Sequence, residues 1–276
     1  MDKIIAAAAQ LHGILGNKEY NFNKMKELAR KVKEERFADL VLFPETALTG
    51  CCVDSLEEAL SIGEPIDGPY VKKMQALSAE LDIDIAFGMI EKCGKIAYNT
   101  LVLCEPDGNF GYYHKIHQPY VGIDRFAKKG DRHVVMDTRF GKIGLCICYD
   151  VRFPEMARME ALDGARLILN PSYMSGEGSA RVMECCPKAR ALENRVFFML
   201  CNTVGVEGGA EHHGGSMIID ITGKILDQAG KHEEIISALI DLSEADCKEI
   251  ISIPGEYEVH FFDDRVPEVY GRILGR

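Results

Sequence analysis

The fold class this sequence predicts is α/β: a four-layer sandwich of two mixed sheets packed face to face, with helices outside. Three observations predict it. Short apolar runs of strand length alternate with longer segments whose apolar residues recur at helical spacing. The order β-α-β-α-β-β occurs in each of two halves, joined near residues 112 to 133. Finally, 276 residues with 47% hydrophobic content can bury a large core, and no linker rich in Gly, Pro or Ser separates the halves. Residues 1–276 therefore read as a single domain.

Ile4 to Gln10 reads as the first strand. Lys18 to Glu35 follows as a helix, because Phe22, Met25, Leu28, Ala29 and Val32 recur at helical spacing with charges between them. Leu40 to Phe43 is a buried strand and completes a βαβ unit. Val71 to Leu81 is a second amphipathic helix, with Met74, Leu77 and Leu81 as its stripe. Ile83 to Ile90 and Ala97 to Cys104 are strands joined by the hairpin turn Lys92-Cys93-Gly94-Lys95, and Glu105-Pro106-Asp107-Gly108 turns the chain again before Tyr112. In the second half Val134 to Asp137 and Lys142 to Cys148 are strands across the Phe140-Gly141 turn. Glu155 to Leu162 is a helix that starts on Pro154, Arg166 to Asn170 a strand, and Ala180 to Glu193 a helix. Val196 to Asn202, Ser216 to Ile221 and Ile235 to Ile240 follow as strands, with a hairpin turn at Thr222-Gly223-Lys224. From Ser243 the periodicity weakens, and Phe261-Phe262 beside Asp263, Asp264 and Arg265 reads as a tail that needs a surface to lie on.

Charge narrows the partners. A formal charge of −11, a pI near 5.3 and the lack of any basic run interleaved with aromatics exclude nucleic acid and acidic membrane surfaces as expected partners. A small-molecule substrate is expected instead. The apolar stretch Ile4 to Ala9 is too short for the core of a signal peptide or a membrane span. The ten cysteines include Cys51-Cys52, Cys185-Cys186 and Cys146 with Cys148, in a long chain without a secretion signal, which favours reduced thiols and a cytoplasmic setting. No Cys-x-x-Cys occurs, and neither His114 with His117 nor His212-His213 has partners at zinc-site spacing, so no metal is expected.

Three strand ends carry candidate chemistry. Glu45 follows the strand Leu40 to Phe43 through Pro44; Lys115 follows the strand and turn ending near Phe110; Cys148 ends the strand that begins at Lys142. Taken singly, each has an ordinary explanation: a solvated turn carboxylate, a surface lysine whose stem covers apolar area, a buried small thiol. Taken together they supply what acyl transfer needs. A thiol needs a base or a positive neighbour to act as thiolate, the intermediate needs an oxyanion donor, and an amine leaving group needs a proton.

The segments Leu42-Phe43-Pro44-Glu45, Tyr113-His114-Lys115-Ile116-His117 and Gly144 to Glu155 resemble the Glu, Lys and Cys signatures of the nitrilase superfamily of carbon–nitrogen hydrolases. The likeness continues through Asn170-Pro171-Ser172, Arg190 to Arg195, Asn202 to Gly205, Gly215-Ser216 with Gly223, and Arg265 to Tyr270. The resemblance implies an αββα sandwich, an oligomer built from dimers, no cofactor, and catalysis by Glu45, Lys115 and Cys148, and the apolar pair Phe261-Phe262 places the tail 243–276 in an interface of that oligomer. It also implies an acid between the Lys and Cys signatures. The carboxylates there are Asp124, Asp131 and Asp137, and Asp124, beside the flexible Gly122, is the candidate; a surface ion pair with Arg125 or Lys128 is its other reading.

Cys148-Tyr149-Asp150 with Arg152-Phe153 is more similar to the amidase branches than to the nitrile-hydrolysing one, where Trp-Glu typically follows the cysteine. The expected activity is hydrolysis of a small linear amide with release of ammonia. The alternatives are an N-carbamoyl amine or amino-acid hydrolase, a nitrilase, or a non-catalytic scaffold of the same fold. A papain-type protease lacks the needed context around Cys148. Substrate contacts are expected from Asp124, from Tyr149 through its backbone N–H, and from Tyr173 and Met174, in a segment that departs from the relatives' aromatic near Ser172 and Trp beyond it; both also read as core. Arg152 and Arg195 are open between binding a substrate carboxylate and holding a loop.

Overall fold

The computed structural model describes residues 2–275. Met1 and Arg276, the ends of the expected domain, lie outside them. The first sheet draws on β1 (Lys3–Gln10), β2 (Leu40–Leu42), β3 (Asp84–Cys93), β4 (Ile96–Cys104) and β5 (Phe110–His114). The second draws on β6 (Val134–Thr138), β7 (Gly141–Leu145), β8 (Leu167–Pro171) and β9 (Phe197–Cys201). A hairpin of β10 (Val204–Glu207) and β11 (Ala210–His213) leaves that sheet before β12 (Met217–Ile219) and β13 (Ile225–Gln228) return to it. β14 (Glu234–Asp241) comes next, and β15 (Glu249–Ile253) with β16 (Tyr257–His260) makes a small separate hairpin. The helices are α1 (Lys18–Arg36), α2 (Leu56–Ile62), α3 (Pro69–Leu81), α4 (Pro154–Leu162) and α5 (Gly176–Asn194).

The sheets run in the orders β14-β1-β2-β3-β4-β5 and β13-β12-β9-β8-β7-β6. One assignment to a half is thereby corrected: β14 crosses to the first sheet and pairs antiparallel with β1 from Lys3↔Asp241 to Gln10↔Glu234. Strand alternation sorts the core into layers. Ile4, Ala6, Ala8, Leu40, Leu42 and Ala86 face the second sheet, where they meet Ile143, Leu145, Leu167 and Leu169. Ala7, Ala9, Val41, Phe43, Ile85 and Phe87 face the other way, against Phe22, Met25 and Ala29 of α1 and Val71 and Met74 of α3. The result is the four-layer αββα sandwich.

Local chemistry fixes the element ends. The Asn17 side chain accepts the Tyr20 N–H at 3.2 Å and starts α1, while Pro69 and Pro154 open α3 and α4 at positions where a missing N–H costs nothing. α2 and the strands β5, β10, β11, β13, β15 and β16 are elements the sequence pattern did not reveal. The strand expected to run to Cys148 ends instead at Leu145, and Cys148 opens a short 3-10 turn. The tail finds part of its surface on its own chain: Phe262 packs at the core's edge beneath the Arg158 guanidinium and the Lys248 ammonium, 5.1 and 5.4 Å from the ring centre.

The turn that follows β2 is laced to β3 through Gly88, whose N–H donates to Pro44 O at 3.2 Å and whose carbonyl accepts from Leu48 N at 3.1 Å. A Cβ on Gly88 would lie 2.3 Å from Thr46 N and 2.7 Å from Glu45 Cα. Only a glycine admits this approach. Gly88→Ala should therefore lower the unfolding free energy in urea by about 1–3 kcal/mol. Gly178→Ala, in α5 with nothing within 4 Å of the added methyl, should not. Equal midpoints for the two variants would show that the close approach constrains nothing.

Candidate active site

Strand direction brings the expected groups to one edge. β2 and β3 are parallel, and β5 is antiparallel to β4, itself antiparallel to β3, so β5 runs with β2. Glu45 and Lys115 therefore leave the first sheet on the same side. Lys115 follows β5 directly, not a turn, and its N–H is held by Asn99 O at 2.9 Å. Cys148 arrives from the second sheet, past the carboxyl end of β7, which runs parallel to β8.

The side chains converge there. Lys115 Nζ lies 2.7 Å from Glu45 Oε1 and 2.6 Å from Asp124 Oδ2, with all three residues buried. Asn99 Nδ2 donates to both carboxylates, at 2.7 Å to Glu45 Oε1 and 2.9 Å to Asp124 Oδ1. Glu45 Oε2 is buried without a donor. Asp124 reaches this cluster directly because Gly122, at φ +50, presses its turn against Cys51, where a Cβ would meet Sγ at 2.9 Å. The shorter aspartate arm is offset by a closer loop.

Electrostatics follow from that geometry. Burial would lower the Lys115 ammonium, but the charges of Glu45 and Asp124 outweigh it and hold the group well above its ordinary value. Burial pushes the Asp124 carboxyl up to about 6, with Lys115 opposing and Glu45 adding to the rise. Burial and then the Glu45 charge push the Cys148 thiol up, against the pull of Lys115 and of the Tyr173 backbone.

Two strained positions frame the site. Thr46 and Cys148 have φ of +50 and +46, in a region that non-glycine residues rarely enter. The Cys148 turn is pinned by Asp150, which is fully buried. Its Oδ2 accepts from Tyr113 Oη at 2.8 Å and Ile147 N at 2.9 Å; its Oδ1 accepts from His117 N at 3.1 Å and lies 2.8 Å from His117 Nδ1.

Glu45, Lys115, Asp124, Cys148 and Tyr173 line one cavity of about 510 Å³. Met174 does not: it is buried in the core, held through its backbone by the Asn202 amide. The Tyr149 ring packs against Phe153 and under Arg152, and Tyr149 is not among the residues that line the cavity. Arg152 and Arg195 also lie elsewhere, the latter donating to Cys247 O at 2.6 Å, whereas Arg125 lines the cavity. Among the described residues no three His, Cys, Asp or Glu side chains group as metal ligands would.

Sequence reasoning missed Asn99, Glu207 and His212. Asn99 was visible as a polar residue inside the apolar strand 97–104. Glu207 and His212 belong to the β10–β11 hairpin, whose signal was the Gly208-Gly209 turn between two short segments. Glu207 Oε1 accepts the N–H groups of Cys51 and Cys52 at 2.9 and 2.8 Å, and Oε2 takes the Tyr173 hydroxyl, which fastens the hairpin over the cavity.

Comparison with known proteins places the chain in a family. The model of the carbon-nitrogen hydrolase family matches residues 5–247. A probable nitrilase of Schizosaccharomyces pombe is 33% identical over 263 residues, 93% of each chain, and an omega-amidase of Saccharomyces cerevisiae is 30% identical over 87% of each. A carbon-nitrogen hydrolase structure from Helicobacter pylori superposes with a TM-score of 0.85 at 25% identity, over 100% of this chain and 99% of that one. The chain belongs to the carbon-nitrogen hydrolase family, within the nitrilase superfamily.

Proposed function

We propose that this hydrolase cleaves a small linear amide and releases ammonia through a cysteine thioester. The observation that carries the reading is the buried Lys115 ammonium shared by Glu45 and Asp124, beside a thiol in the same cavity. Glu45, through the free Oε2, takes the Cys148 proton as sulfur bonds to the amide carbon; the carbonyl electron pair moves to oxygen, held by Lys115 Nζ and the Tyr149 N–H. The C–N bond then breaks as Glu45 protonates the leaving nitrogen. Water, deprotonated by Glu45, attacks the thioester; the C–S bond breaks, sulfur regains its proton and the carboxylic acid departs. Asp124 keeps Lys115 charged and aimed throughout. The amide reading is further supported by the Cys148-Tyr149-Asp150 context and by the omega-amidase relative. Ammonia release across ω-amides, carbamoylated amines and nitriles tests it: amides should be turned over best, and turnover confined to nitriles or carbamoylated amines would overturn it.

We place the enzyme in the cytoplasm, since its ten cysteines are free thiols and no helix among the described residues is long and apolar enough to cross a membrane. We further propose an even homo-oligomer with residues 243–276 in an interface. Ile250, Ile251, Ile253, Tyr257 and Val269 of that tail are exposed on the single chain. Light scattering should return a dimer or a multiple of it at micromolar concentration, and a monomer would refute the assembly.

Two further outcomes follow from the mechanism. Chloroacetamide should inactivate in step with alkylation of Cys148, and Glu45→Gln should slow that alkylation at least about tenfold while the exposed Cys93, Cys185 and Cys247 react as before. Inactivation that tracks another cysteine would remove Cys148 as the nucleophile. Asp124→Asn should lower kcat/KM at least about tenfold, roughly 1.4 kcal/mol. Asp131→Asn, exposed and outside the cavity, is the control, and equal kinetics in the two would leave Asp124 without a part in the chemistry.

A further inference from the structure

One polar group in the cavity is used by none of these steps. His212 of β11 is 4% exposed, and among the described residues neither of its ring nitrogens has a hydrogen-bond partner. It lines the same cavity as Glu45, Lys115 and Cys148. Its position is fixed from two sides: the ring stands edge-on to Tyr173 with centroids 4.1 Å apart, and its backbone bridges antiparallel to Ser175. A phenylalanine would keep the contact with Tyr173 and avoid burying two polar atoms unpaired. The buried cost is recovered when a molecule in the cavity bonds to the ring.

We propose that His212 is a specificity-determining residue that recognises a second, neutral hydrogen-bonding group, a carboxamide or hydroxyl, in the acyl portion of the substrate. The substrate class rests on the amide reading above. Burial lowers the imidazole pKa, with the Met174 backbone and the Glu207 charge acting against it, so the ring is neutral and offers one N–H and one lone pair. A carboxamide or a hydroxyl carries both a donor and an acceptor and can satisfy such a ring. Glu207, on the same hairpin, cannot take this part, because its oxygens already hold the Cys51 and Cys52 N–H groups and the Tyr173 hydroxyl. A site built around a polar group rejects the analogue that lacks it far more strongly than an apolar pocket rejects an extra methylene.

Binding tests this apart from turnover. In Cys148→Ala protein, which forms no thioester, affinities for succinamide and for its near-isostere 4-methylpentanamide are measured by ligand-observed NMR titration. Succinamide should bind at least about tenfold tighter; adding His212→Phe should shrink the ratio to within about twofold, and His212→Gln, which keeps a donor and an acceptor, should restore most of it. No preference in the Cys148→Ala protein, or a ratio unchanged by His212→Phe, overturns the role. If the intact enzyme releases no ammonia from succinamide while the preference and its loss are both seen, the hydrolytic reading falls and the recognition by His212 stands.

Discussion

Residues that leave two different sheets, Glu45 and Lys115 from one and Cys148 from the other, line a single cavity, and the Asp150 carboxylate holds the two sheets together beside it. It belongs to the Cys148 turn of the second sheet, yet three of its four bonds go to Tyr113 and His117, which flank Lys115 on the first. A buried carboxylate with every lone pair in use is costly to displace, because any shift strands a charge away from water. The sheets are thus locked in register at the point where chemistry needs it. The left-handed backbone of Cys148 persists because this bonding over-determines the turn.

Charge is balanced as tightly as position. Two carboxylates and one ammonium are buried together, and Asn99 donates to both anions, so the like charges can lie side by side. The cluster carries one net negative charge beside the thiol. That charge opposes a standing thiolate.

Much of this was legible in the sequence. The β1, α1, β2 order followed from periodicity, because Phe22, Met25, Ala29 and Val32 bury one stripe of the helix and the strands are apolar throughout. Glu45, Lys115 and Cys148 stood out by their places at strand ends, and Asp124 by elimination among three aspartates. What escaped reading was set by contacts between distant residues. β7 stops at Leu145 because Ile147 and Cys148 are drawn into the Asp150 turn, although their alternation continues the strand. Met174 is apolar in any setting, and only the Asn202 amide on its backbone decides that it faces the core. The β10–β11 hairpin is too short and polar to carry a strand pattern, and it is stable because Glu207 ties it to the Cys51-Cys52 backbone.

The crossing of β14 has a consequence for how the chain is made. Lys3 pairs with Asp241, so β1 leaves the ribosome more than 200 residues before the strand that closes its outer edge. Until then β1, whose core is four successive alanines, presents an unpaired row of backbone donors and acceptors. Contacts of such sequence separation are slow to form, and the interval falls during synthesis, when the nascent chain is most open to wrong pairings. The small side chains that let β1 pack closely in the finished sandwich also give it little apolar surface to attract a partner while it waits.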